Sequence, residues 1–69
     1  MGNINRTHYH ELNLLLWDEH QKYIDPKQAL NLYEKRWAYV DKAKLSQKEM
    51  QLINRLTKEY GNGVFMPAI

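Results

Sequence analysis

Four side chains of metal-ligating type crowd the first part of the chain: His8, His10, Glu11 and His20. A zinc-binding helix sets its ligands three or four residues apart, so that they share one face. His8 and His10 are two apart and diverge, while His10 and His20 are separated by ~15 Å along a helix rising ~1.5 Å per residue. Glu11 lies three from His8, and a single pair does not enclose a cation. No metal site is expected. His20 is in line with Leu12, Leu16 and Tyr23 and reads as a hydrogen-bonded histidine partly inside the core. Cysteine is absent, so nucleophiles are limited to Ser46, Thr7, Thr57 and the lysines. Ser46 opens a helix as its cap, and no His/Asp pair is spaced to activate it. Asp18 and Glu19 are adjacent and point to different parts of a helix surface. Gly61-Asn62-Gly63 follows a helix, so it presents no helix N-terminus to a phosphate. A chain of 69 residues has little volume beyond its core to enclose a substrate. The expectation is a non-enzymatic protein with no catalytic residue, no cofactor and no small-molecule substrate.

The elements that would position any other function are marked by start and stop signals. Asp25-Pro26 sets a cap before a proline at the first helical position, and Gln28 follows at the third. Proline disfavours helical geometry in the residue before it, which ends the first helix near Ile24. Ser46-Gln47-Lys48-Glu49 is a capping box, with the hydroxyl on the Glu49 amide and the carboxylate returned to the Ser46 amide. Gly61 closes the last helix. These signals predict helices over 8–24, 26–42 and 46–60 and no strand. Apolar spacing agrees. The first helix offers Tyr9, Leu12, Leu16 and Tyr23; the second Leu30, Tyr33, Trp37 and Val40; the third Ile53, Leu56 and Tyr60. Short connections favour antiparallel neighbours. The expected fold is all-α: one domain over 1–69, a compact three-helix bundle with short loops, an irregular start over 1–7 and a short apolar C-terminal tail over 64–69.

Two surfaces remain for recognition. Leu14, Trp17 and Ile24 fall on a second apolar face of the first helix, repeated weakly on the second by Leu32 and Tyr39. A helix apolar on two sides is either central or shared with another molecule, and aromatic anchors are the usual carriers of binding energy. Leu14, Trp17, Ile24, Tyr39 and Phe65 are therefore the candidate contacts with a protein partner or with a second copy of the chain. The competing expectation is that the tail folds back and Phe65 covers Trp17. The other surface is the outward stripe of the third helix: Gln47, Lys48, Gln51, Asn54, Arg55 and Lys58, residue types that read base edges or hold phosphates. The string Leu45-Ser46-x-x-Glu49-x-x-Leu52-Ile53-x-x-Leu56 resembles a helix of several bacterial helix-turn-helix regulators, although any capped amphipathic helix shows it. A nucleic-acid-binding regulator, with helices two and three joined by three or four residues, is the alternative function.

Charge weighs between them. The formal net charge is only +2, below what a committed DNA binder usually shows, and it is unevenly spread. Glu11, Asp18, Glu19 and Asp25 oppose Lys22 alone over residues 8–25. Lys27, Lys35, Arg36, Lys42, Lys44 and Lys48 then oppose Glu34 and Asp41. The longest apolar run, Leu14-Leu15-Leu16-Trp17, is far too short for a secretory core or a membrane span, so a cytoplasmic protein without membrane contact is expected. A domain this small is short of core. Without disulfides it must rely on dense packing or self-association, for which two Trp, five Tyr and one Phe supply bulk.

Overall fold

Asp25 opens a helix as its position before Pro26 requires. Its Oδ2 accepts from the amides of Lys27 (3.1 Å) and Gln28 (3.3 Å), and α2 runs over Pro26–Lys35. The Ser46 hydroxyl accepts from the Glu49 amide at 3.0 Å and starts α3, Gln47–Tyr60. That helix closes at Gly61, whose N–H donates to the Thr57 carbonyl at 2.9 Å. A Cβ on Gly61 would stand 3.0 Å from the same oxygen and 3.2 Å from Leu30, so the close approach of α3's end to α2 depends on glycine. The computed structural model describes residues 1–68, and the last tail residue, Ile69, lies outside the described residues.

The three-helix bundle is not what forms. The first helix, expected over 8–24, is reduced to α1, His10–Leu15. After a turning segment the chain extends at Tyr23–Ile24 (β2), which pairs antiparallel with Ile4–Asn5 (β1) in the register Ile4 to Ile24 and Asn5 to Tyr23. Both the absence of strands and the irregular start over 1–7 are thereby corrected. Arg6 supplies the reason. Its Nη2 donates to the carbonyls of Asn13 (3.0 Å) and Leu16 (2.7 Å), its Nη1 to Glu19 (2.7 Å) and Gln21 (3.4 Å), and its Nε to Asn13 Oδ1 (2.7 Å). Arg36 Nη1 takes the Leu15 carbonyl at 2.7 Å. Carbonyls that a continuing helix would use internally are held by guanidinium donors, which are strong partners and match the negative end of a helix dipole.

The second helix is also shorter than the expected 26–42. It ends at Lys35, and residues 36–46 cross to α3 through 3-10 turns at Trp37–Tyr39 and Lys42–Lys44. Val40 and Asp41 are extended, and the Asp41 amide donates to Glu11 Oε1 at 2.8 Å instead of to a helical carbonyl. Val40 still reaches the core by this route. The core lies where α2 packs on α3 and on α1. Leu16, Leu30, Tyr33, Ile53 and Leu56 are buried there as their spacing predicts, whereas Trp37 is half-buried at its edge.

Candidate functional site

At the centre of the core stands a carboxylate that the sequence reading assigned elsewhere. Glu49 does not return to the Ser46 amide. Its Oε1 accepts from the Glu11 amide (3.1 Å), and its Oε2 from the Leu12 amide (2.8 Å) and the Tyr33 hydroxyl (2.6 Å), with the side chain fully enclosed. Tyr9, at the cap position of α1, offers no side-chain bond, so Glu49 caps α1 from across the core. Glu11 is enclosed as well. Its Oε1 holds the Asp41 amide, and its Oε2 has no hydrogen-bond partner, although His10 Nε2 lies 3.5 Å away. Burial, and then the hydrogen bond to Glu49, push the Tyr33 phenol far above its ordinary value. The signal was present in the sequence: Glu49 precedes Ile53 by four and Leu56 by seven, which places it on the core face. Closed to solvent, the cluster ties three helices together and offers no access to a substrate. Among the described residues no group of three or more His, Cys, Asp or Glu is arranged to hold a metal ion. His20 is exposed, not inside the core.

The five predicted partner-contact residues separate. Ile24 is 1% exposed and packs in the core from β2, because the strand turns it inward where a helix would have turned it out. It is removed from the interaction face. Phe65 does not cover Trp17; it meets the Trp37 ring edge-on, with centroids 5.0 Å apart. Trp17 is 77% exposed, Tyr39 82% and Leu14 56%. Arg36 touches Trp17 through its side chain and Tyr39 through its backbone. Its guanidinium lies 5.7 Å from the Trp17 ring centroid and grips Asp18 with two bonds of 3.0 and 3.1 Å, and its carbonyl accepts from the Tyr39 amide at 3.0 Å. The Arg36 hydrogen bond holds the Asp18 carboxyl below the usual carboxylate range, and Asp18 in turn raises Arg36. Sequence reasoning missed Arg36 and Asp18 because their pairing spans a fold that the sequence misassigned.

The six polar residues of the alternative reading, Gln47, Lys48, Gln51, Asn54, Arg55 and Lys58, are all exposed along α3. Arg55 is paired with Glu59 at 2.8 Å, and Lys48 Nζ lies 5.2 Å from the Tyr9 ring. The expected turn of three or four residues before this helix is replaced by the longer 36–46 crossing, which is not the short connection of a helix-turn-helix. Beside the stripe, α3 and the crossing enclose a groove of about 530 Å³. No helix among the described residues is long and apolar enough to cross a membrane. The chain matches no family model, no curated protein and no solved structure.

Proposed function

We propose that this chain is a small non-enzymatic interaction domain that binds a protein surface through Leu14, Trp17 and Tyr39, with Arg36 beside the Trp17 ring. The observation that carries this reading is the exposure of Trp17. In a domain short of core, one of its two tryptophans stands in water beside an arginine. Trp, Tyr and Arg are the residue types that dominate binding energy at protein interfaces. Asp18 and Arg36 give the surface both signs of charge, which suits contact with an identical surface across a two-fold axis, so a second copy is the first partner to test. A cysteine-free composition fits a reducing, cytoplasmic setting.

Light scattering on the purified protein, with the double variant Trp17→Ser/Tyr39→Ser beside it, tests self-association first. Capture from native lysate, with and without nuclease, then tests a different partner. The reading predicts either a dimer or a captured protein that the double variant loses. A monomer whose captured material is unaffected by the variant, or vanishes on nuclease treatment, overturns it, the latter in favour of nucleic acid on α3.

A further inference from the structure

The groove beside α3 shares none of its lining with Leu14, Trp17 or Tyr39. Its walls are Met50 and Ile53 on α3, with Trp37, Leu45 and Phe65 opposite, and its polar lining includes Lys42, Asn54 and Thr57. The chain's own tail is engaged elsewhere. The Met66 amide donates to Glu34 Oε2 at 2.8 Å and the Ala68 amide to the Glu34 carbonyl at 2.7 Å, so beyond Phe65 the tail is tied to α2.

The charge at this groove is one-sided. No carboxylate lines it, and Lys42, its cation, lies over the Trp37 ring at 5.1 Å from the centroid without an ion pair among the described residues. The stretch of α3 from Met50 to Thr57 spans roughly 10 Å at ~1.5 Å per residue, about two turns of a facing helix. Met50 is 52% exposed, and an unbranched thioether adapts readily to an incoming apolar side chain.

We propose that this groove is a second docking site, taking an acidic amphipathic peptide segment that places apolar side chains against Met50, Ile53 and Phe65 and a carboxylate on Lys42. Apolar walls with a single lining cation fit a helix laid in a groove. They fit a nucleic-acid backbone poorly, because phosphates are neutralised by several cations together.

Two synthetic helical peptides test the assignment: one with leucines at i, i+3 and i+7 flanked by glutamates, the other with every glutamate replaced by lysine. Titration is followed by anisotropy of a label on the peptide. The acidic peptide is expected to bind and to weaken as salt rises. Lys42→Glu weakens it by about tenfold or more, since like charges across an interface are strongly unfavourable, and Met50→Glu abolishes it. Both positions are exposed, and helicity by circular dichroism confirms that the variants fold. Trp17→Ser/Tyr39→Ser leaves peptide binding unchanged, which separates this site from the proposed interaction face. Equal binding of the two peptides, no binding of either, binding insensitive to Met50→Glu, or binding of a DNA duplex in place of the acidic peptide each overturns the proposal.

Discussion

The Tyr33 hydroxyl donates to Glu49 Oε2 across 2.6 Å, and neither side chain is reached by solvent. The same carboxylate holds the amides of Glu11 and Leu12, so one side chain of α3 fixes both the start of α1 and the inner face of α2. Hydrogen bonds to charged groups contribute about 1.5–3 kcal/mol each, and leaving a buried group unpartnered costs about 1–3 kcal/mol. Tyr33→Phe removes one donor and is expected to lower stability by about 1.5–3 kcal/mol. Glu49→Ala strips two amides and a phenol of their acceptor and costs more, approaching the ~5 kcal/mol at the lower end of domain stabilities. Urea denaturation of the two variants checks both the size and the order.

The raised Tyr33 phenol has a consequence at alkaline pH. Below the ordinary tyrosine value of about 10 the residue is neutral in both folded and unfolded chains, and its contribution to stability is fully present. Above it, the unfolded chain loses the proton while the folded one keeps it, so stability falls as pH rises further. Urea midpoints measured on either side of pH 10 are expected to drop more for the native chain than for Tyr33→Phe.

Asp18 behaves in the opposite sense. Its carboxyl lies below the usual range because of Arg36, so the pair's contribution is present above the ordinary aspartate value of about 3.9 and is lost as pH falls through the lower folded value. A carbon-13 titration of the Asp18 carboxyl is expected to give a midpoint below ordinary aspartate, and Arg36→Ala is expected to move it upward.

Arg6 serves five acceptors with one planar fork. Arg6→Ala is expected to destabilise the protein by at least about 2 kcal/mol, and Arg6→Lys does not restore it, because an ammonium cannot span the same set of carbonyls. Amide exchange should accelerate over residues 16–22 before it does in α3.

Trp17 and Ile24, grouped together by helical spacing, should now part in their effects. Ile24→Ala removes a wholly buried side chain and is expected to cost about 2–5 kcal/mol. Trp17→Ser, at an exposed position, is expected to fall within about ±0.5 kcal/mol. Thermal melts of the two variants give the comparison.

That separation also shows where the sequence was readable. Asp25-Pro26 and Ser46 act on amides two or three residues away, so local pattern located the starts of α2 and α3, and Gly61 the end of α3. The end of α1 is decided by Arg6 and Arg36, whose partners are seven to twenty-one residues distant. No local pattern records such a reach. Ile24 carries the same ambiguity: its apolar character reads equally as an outer helix face or an inward strand position, and only the pairing with Ile4 decides. Trp17 and Tyr39 were identified as exposed anchors, while the Asp18–Arg36 clasp between their elements became visible only once the chain had turned.

A six-residue helix is too short to persist alone in water, and α1 has its amide end capped by Glu49 and its carbonyl end by Arg6 and Arg36. It is earliest in the chain among the helices and yet depends on a residue in the last. During synthesis, the amide end of this helix has no cap until Glu49 has emerged, so α1 is expected to become stable only once α3 is made. Any cut between α1 and α3 should therefore leave fragments that are unstructured apart and regain order only when mixed.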